Sequence, residues 1–267
     1  IKALSETIRI FGTVVFSLIG IFVIFGISLN TVITFLGAIT AVILLVFRDT
    51  ILGFVTGIHV STSKNLKIGD WIGIPKYNIE GNIQDINLLT TKIVNFDKTI
   101  STIPTYDLLS TEIRNHQVMY EGSSRRIKRS IYFNIKSFKF VDDEFYEKVK
   151  DINLISEYLD RKLREIAESK KNIPHAERII NGQQLTNIGL FRNYVLNYLK
   201  NNPKVDQDEI VLVRQLEISP QGMPLEIYCF ANKAELVDYE RIQADIFDHI
   251  LTAAQEFDLE IMQVAKA

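Results

Sequence analysis

The feature that most constrains this chain is a stretch from Ile10 to Phe47 that contains no charged side chain. It is nearly twice as long as the roughly 20 residues that a helix needs to cross the hydrocarbon core of a bilayer. Its most polar part is Ser28–Thr31, near its centre. The pattern therefore predicts two spanning helices, about Arg9–Ser28 and Thr31–Phe47, joined by a tight turn.

Two alternatives to this membrane interpretation stay open. The first helix could be a secretory signal, although it is longer than a typical apolar signal region and lacks a small-residue cleavage site. Both helices could instead be buried in a soluble core. A charged residue at mid-membrane costs roughly 2.5–3.5 kcal/mol on insertion scales, so the complete absence of charge favours spanning helices.

Asn30 or Thr31 is predicted to cap the second helix.

The charges on either side of the stretch predict its orientation. The flanking basic residues are Lys2, Arg9, Arg48, Lys64 and Lys67. Basic flanks stay in the cytoplasm, so both outer ends are expected inside and the uncharged turn outside. Residues after about 64 are then cytoplasmic. Because the chain begins with Ile1 rather than methionine, we also expect sequence, including further spanning helices, before it.

An adjacent opposite pair, Arg48-Asp49, ends the uncharged stretch. We predict that Arg48 lies in the last turn of the second helix and that Asp49 caps a new, amphipathic helix, with a break near 48–50. The alternative is an ordinary salt pair at the membrane exit. The next segment, Thr50–Lys64, contains Gly53 and Gly57, whose spacing allows a neighbouring backbone to approach closely.

Small residues cluster along one side of the second helix. Gly37 and Ala41 have the small-x-x-x-small spacing of tightly packed helices, and Ala38 adds to the cluster. Leu45 follows Ala41 by four residues and shares its face. The pattern predicts close helix packing along this stripe.

The remainder of the chain has the composition of a folded α/β protein. Short runs rich in Ile, Val and Thr between 65 and 116 predict four or five strands and a small β-barrel. From 117 to 267 the predicted order is strand–helix–strand–strand–helix, which is ferredoxin-like, with an insertion at about 170–205. Helices are expected at Phe145–Lys170 and Asn187–Leu199, and a closing strand near the C-terminus.

No catalytic constellation, metal site or cofactor-binding motif is found in the sequence. Cys229 is the single cysteine, and the four histidines are scattered. Phosphate-binding glycine loops and nucleophile motifs are absent, so we expect no enzyme activity, metal or cofactor. The net charge of −2 and the short basic run Ser123–Arg129 do not predict nucleic-acid binding.

Several motifs together resemble the small-conductance mechanosensitive channel family. "FLGAITAVILLV" (35–46) is similar to its pore-lining helix, and "LKIGDWIGI" (66–74) to the start of its β domain. "TIPTYDLLSTEIRN" (102–115) resembles a later signature of that domain. Three departures stand out. Thr105 replaces the usual Asn, and Arg48-Asp49 replaces the usual Gln-Gly. The pore helix also carries fewer glycines, with Ile43-Leu44-Leu45 in place of a lighter pattern.

The resemblance implies a ring of identical subunits, seven in the family, around one aqueous pore. The helix Thr31–Phe47 would line this pore, and Ala41 and Leu45 would form its constriction. Gly37 and Ala38 would pack neighbouring pore helices together.

At the pore mouth, Arg48 and Asp49 would form charged rings at the break between helices. Gly53 and Gly57 would be hinge or close-approach points in the amphipathic helix. An outer helix, residues 1–29, would face lipid.

The function implied is that of a channel in the bacterial inner membrane. Tension would open it, and ions and small solutes would pass during hypo-osmotic stress. Its partners would be membrane lipids, permeating solutes and further copies of itself. The alternative is a membrane-anchored sensor or scaffold whose cytoplasmic domains bind a ligand or partner without a pore.

Overall fold

The computed structural model describes residues 2–62 and 66–263. The chain divides into two compact units, Ile1–Gln117 and Val118–Ala267. Among the described residues, the first contains four α-helices and a five-stranded sheet, and the second contains a three-stranded sheet with helices. Lys64, one of the flanking basic residues used above, lies outside the described residues.

The first helix, α1 (Lys2–Ile24), ends earlier than the sequence predicted. The amide of Ile27 donates to the carbonyl of Phe22 (3.0 Å), and Gly26 has a φ of +68°. A backbone amide that reaches back five residues past a left-handed glycine is a Schellman ending. The helix therefore stops before Ser28, and the turn comes earlier than expected.

The second helix, α2 (Leu29–Val46), is capped by Ser28 and not by Asn30 or Thr31. The Ser28 hydroxyl accepts from the amide of Thr31 (3.4 Å), as the residue before the first helical turn can do. An edge-to-face contact of Phe22 with Phe35, 6.0 Å between ring centroids, joins α1 to α2.

A bend of 61° separates α2 from α3 (Arg48–Thr62). Phe47 is the break residue, with φ −96° and ψ 7°. Its amide donates to Ile43 and its carbonyl accepts from Ile51, both at 2.9 Å, so backbone bonding continues on both sides. The predicted roles at the break are therefore wrong: Arg48 begins α3, and Asp49 lies in its first turn rather than at an N-cap.

Among the described residues, no individual helix is both long and apolar enough to cross a bilayer. The bent pair Asn30–Val46 and Arg48–His59 meets that requirement when taken together, by length and composition alone. The apolar part of α1 is the shorter segment Arg9–Ile24.

The five-stranded sheet of the first unit is antiparallel and has the order β4-β3-β2-β1-β5. Its strands are β1 (Trp71–Ile74), β2 (Ile79–Ile86), β3 (Thr90–Asn95), β4 (Ile100–Pro104) and β5 (Arg114–Asn115). A short helix, α4 (Asp107–Ser110), joins β4 to β5. The buried side chains that form its core are Ile72, Ile74, Ile83, Ile93, Ile103 and Leu108.

The second unit has its own elements. After α5 (Gln117–Glu121), they are β6 (Arg125–Phe133), α6 (Asp143–Val149), α7 (Asn153–Lys170), α8 (Asn187–Lys200), β7 (Leu212–Gln215), β8 (Met223–Ala231) and α9 (Leu236–Ala253). The antiparallel sheet has the order β6-β8-β7. An antiparallel bridge of Ile261 to Phe133 places the end of the described chain beside β6.

The helices of the second unit differ from the sequence prediction in two ways. The predicted helix Phe145–Lys170 is two helices, because Ile152 is extended (φ −78°, ψ 104°) and interrupts the helical hydrogen bonding. The segment predicted as an insertion contains α8, which contributes fully buried side chains to the core, among them Phe191 and Val195. The ring of Phe191 contacts Phe133 and Phe257 at centroid distances of 5.6 and 5.4 Å.

Phe191→Ala is expected to destabilise the second unit by about 3–5 kcal/mol, because it leaves a cavity between two aromatic rings. Phe140→Ala is the matched control, since Phe140 is 40% exposed. Denaturant unfolding of the purified chain, followed by circular dichroism, measures both. Equal losses in the two variants would contradict the assignment of Phe191 to the core.

Candidate pore helix and its junction with the β domain

The four residues predicted to line or pack the pore helix are all exposed in the single chain: Gly37, Ala38, Ala41 and Leu45. Leu45 is 72% exposed, and a methyl group built on Gly37 would meet no atom within 4 Å among the described residues. Ala41 and Leu45 are one helical turn apart within α2, so they share a face. The small-residue stripe is therefore exposed along its length in the described part of the chain.

The Arg48-Asp49 pair is exposed as well, in the first turn of α3. A carboxylate is favourable there because the N-terminal end of a helix carries partial positive charge, whereas a guanidinium is not. The position of Arg48 thus follows from the bend at Phe47 and not from helix electrostatics.

Gly53 is the residue at which α3 meets the β domain. It is buried, and a Cβ built there would lie 2.4 Å from the carbonyl oxygen of Leu88, which no real side chain tolerates. Gly57, the other predicted close-approach residue, differs: a Cβ there would meet nothing within 4 Å among the described residues. Of these two glycines, Gly53 is the one at which a Cβ would collide with the Leu88 carbonyl.

Thr105 holds the loop around Leu88, which approaches Gly53, through two hydrogen bonds. The Thr105 hydroxyl donates to the carbonyl of Asn87 (2.7 Å), and the Thr105 amide donates to the carbonyl of Leu89 (3.0 Å). Thr105 is fully buried, and its hydroxyl also lies 3.1 Å from that of Thr91. The threonine that departs from the family motif therefore holds the two residues that flank Leu88.

Immediately after Thr105, a buried carboxylate anchors α4. Asp107 is 1% exposed, accepts a hydrogen bond from the Tyr77 hydroxyl and another from Ser110 (3.1 Å), and lies 3.6 Å from the Lys76 ammonium. The side-chain hydrogen bond with Tyr77 raises the pKa of Lys76, and the charge of Asp107 acts in the same direction. The turn after β4 is thus fixed to the helical turn after β1.

The Gly69-Asp70 motif ties the start of the sheet to its end. The carboxylate of Asp70 accepts from the amide of Lys67 and from the side-chain amide of Asn115, both at 3.0 Å. The amide of Gly69 donates to the carbonyl of Ile83 (2.8 Å). The motif residues that suggested the family therefore serve structural roles, closing β1 against β2 and β5.

Within the described residues, no group of three or more His, Cys, Asp or Glu side chains is arranged to hold a metal ion. Cys229 is buried in the second unit, where burial raises the pKa of its thiol to about 12. A thiol protonated at neutral pH is a poor nucleophile and a poor metal ligand.

Sequence reasoning missed Leu88 and Asn87. Both act through backbone carbonyl groups, which every residue carries, so their identities held no signal. The burial of Thr105 was detectable only indirectly, as a departure from the family motif.

Replacing Gly53 by alanine should loosen the junction, whereas Gly57→Ala should not. Each change removes a helix-interior glycine, which favours the helix by about 1 kcal/mol. At Gly53 the added methyl group also collides with the Leu88 carbonyl. We expect a lower thermal midpoint and faster amide exchange at residues 87–89 in Gly53→Ala only. Similar behaviour of both variants would show that the close approach is not needed.

Removing the Thr105 hydroxyl should destabilise the β domain by about 0.5–1.5 kcal/mol, because the carbonyl of Asn87 loses a hydrogen-bond donor in a partly buried site. Thr105→Val preserves the shape and removes the hydroxyl, while Thr105→Ser retains it. Denaturant unfolding should give a clearly larger loss for valine than for serine. A valine variant as stable as the parent chain would show that the hydroxyl is not needed.

Comparison with known families gives two matches along the chain. Residues 49–118 match the family profile described as "Mechanosensitive ion channel, beta-domain". Residues 176–261 match "Mechanosensitive ion channel MscS, C-terminal". The first match includes Gly53, the loop at Leu88 and Thr105.

Curated relatives are similar at modest identity. The low conductance mechanosensitive channel YnaI of Escherichia coli is 24% identical over 231 residues, which is 86% of this chain and 53% of YnaI. The small-conductance mechanosensitive channel MscMJ of Methanocaldococcus jannaschii is 29% identical over 115 residues, 43% of this chain and 32% of MscMJ. The chain thus spans about half or less of the length of these relatives.

Solved structures share the fold. Arabidopsis thaliana MSL1 has a TM-score of 0.59 at 15% identity, covering 90% of this chain and 68% of that one. Helicobacter pylori MscS in its closed state has a TM-score of 0.53 at 16% identity, covering 91% and 74%. With the β-domain motifs and both family profiles matched, the chain belongs to the MscS-like family of mechanosensitive ion channels, a family of channels rather than enzymes.

Proposed function

We propose that this chain forms the pore and the cytoplasmic part of an ion channel opened by membrane tension. It would release ions and small solutes during hypo-osmotic stress, from the bacterial inner membrane. The proposal extends the family assignment to the activity and location of this chain.

The observation that carries the proposal is the exposure of the apolar helix α2. Only Val32 of its described side chains is buried, while Val42, Leu45 and Val46 are 60–72% exposed. A core helix of a soluble protein buries such side chains, and a large exposed apolar surface marks contact with lipid or a partner. This exposure favours spanning helices over the alternative of two helices buried in a soluble core.

In the proposed channel, copies of α2 surround the pore as a ring, with seven subunits as in the family. Gly37 and Ala38 would let neighbouring helices approach closely. Ala41 and Leu45 would form the constriction, where an apolar ring blocks ions by excluding water. Arg48 and Asp49 would form charged rings at the mouth, where water solvates them.

The outer surface of the proposed channel is formed by α1, whose residues from Ile10 to Ile24 would contact lipid. Tension favours the state of larger in-plane area, so the lipid-facing helices act as the sensor. The second unit and the β domain would lie in the cytoplasm. The barrel-like β domains and ferredoxin-like second units would form a vestibule around the pore axis, with no nucleic acid and no cofactor involved.

A polar residue in the constriction should open the channel at lower tension. Leu45→Asn, and separately Ala41→Ser, hydrates the ring and stabilises the conducting state. Patch-clamp recording of the protein reconstituted in lipid, under stepped suction, gives the threshold for each variant. We expect a lower threshold in both than in the parent chain.

The matched control is Ile43→Asn, since Ile43 lies on the opposite face of α2 from Ala41 and Leu45. Its threshold should stay close to that of the parent. Equal lowering in all three variants would move the constriction away from this face. Silence of the parent chain and every variant, up to the tension that ruptures the bilayer, would refute the channel and favour the membrane-anchored sensor.

A further inference from the structure

A cavity in the second unit has the chemistry of a ligand site that the channel function does not use. It lies between α7 and α8 and has a volume of about 360 Å³. This volume is within the range of about 300–1,000 Å³ typical of small-molecule sites. The lining residues that matter here are Tyr158, Lys162, Ile166, Gln184, Leu185 and Arg192.

One of the two basic side chains that line the cavity has no acidic partner among the described residues. The lining contains Lys162 and Arg192, and no Asp or Glu among its described residues. Lys162 is paired outside the lining, with the Glu165 carboxylate at 2.5 Å. Arg192 makes no ion pair with any residue in 2–62 or 66–263, and its side chain is exposed at the rim. Arg192 is therefore available to an anion from outside.

A second observation, independent of charge, indicates a missing acceptor. The side-chain nitrogen Nε2 of Gln184 is buried and has no hydrogen-bond partner among the described residues. Buried donors are nearly always satisfied, so an exception calls for a water, ion or ligand. Gln184 lines the same cavity as Arg192.

The backbone amides at the start of α8 are not free to donate hydrogen bonds to a ligand in the cavity. The amide of Ile188 already donates to the Asn187 side chain (2.9 Å), and that of Gly189 donates to the Thr186 hydroxyl (3.2 Å). Recognition in this cavity therefore depends on side chains. Its apolar wall is formed by Tyr158, Ile166 and Leu185.

We propose that this cavity binds a small soluble organic anion with a phosphate or carboxylate head. The planar guanidinium of Arg192 matches the two oxygens of either head, and the Gln184 amide donates to a third contact point. The organic part packs against Tyr158 and Ile166. The site is independent of the pore, so its test does not depend on channel activity.

Isothermal titration of the whole chain in detergent tests the site with three probes: phenyl phosphate, benzoate and inorganic phosphate. Phenyl phosphate should bind more tightly than inorganic phosphate, because its ring contacts the apolar wall. Comparing the affinities of phenyl phosphate and benzoate shows whether the site prefers a phosphate or a carboxylate head. Arg192→Gln should weaken binding about tenfold, since it removes a charged hydrogen-bond donor.

Arg164→Gln is the matched control, because Arg164 is an exposed arginine of α7 that donates to the carbonyl of Asp160 and does not line the cavity. It should leave binding within about twofold of the parent. Gln184→Met should weaken binding without changing the charge. Thermal unfolding of each variant separates lost binding from lost folding.

Three results would overturn the proposal. The first is no heat of binding with any probe up to about 10 mM, which would leave a water as the partner of Gln184. The second is equal weakening by Arg164→Gln and Arg192→Gln, which would indicate a diffuse charge effect. The third is displacement of phenyl phosphate by phosphatidylglycerol but not by phosphatidylcholine in nanodiscs, which would assign the site to a lipid headgroup.

Discussion

The close approach of α3 to the Leu88 carbonyl is the contact on which the arrangement of the first unit depends. At 2.4 Å from a built Cβ, the oxygen leaves room for glycine alone at position 53. Thr105 fixes both neighbours of Leu88, and the carboxylate of Asp107 fixes the turn that follows Thr105. The β domain is thereby attached through backbone contacts to a helix that bends directly out of the apolar α2.

Apolar side chains are buried in the core of the second unit but exposed along α2. In the second unit, Phe133, Phe191 and Phe257 are nearly or fully buried and pack edge to face. In α2, Leu45 and its neighbours remain exposed although they are equally apolar. Hydrophobic burial is the dominant favourable term in folding, so an exposed apolar helix needs lipid or a second copy to cover it.

Much of the fold was predictable from local pattern. The uncharged stretch predicted two helices with a turn between them, and alternation of Ile, Val and Thr predicted the strands of the β domain, because both signals reside in side chains. Helix ends were less predictable: α1 stops at Ile24, and Ile152 separates α6 from α7. The first break is a local motif around the left-handed Gly26, and the second follows from the extended backbone of Ile152.

The sequence by itself determined which residues are apolar, where charged residues resume after Phe47, that Gly53 and Gly57 are spaced for close approach, and that Thr105 lies in a motif of this family. It did so because helix and strand periodicity, turn-forming residues and charge are all properties of side chains. Only the tertiary structure decided that Phe47 is the break, that Gly53 rather than Gly57 meets the β domain, and that Thr105 holds the loop at Leu88. Those outcomes depend on backbone groups brought together from distant parts of the chain, and every residue carries the same amide and carbonyl.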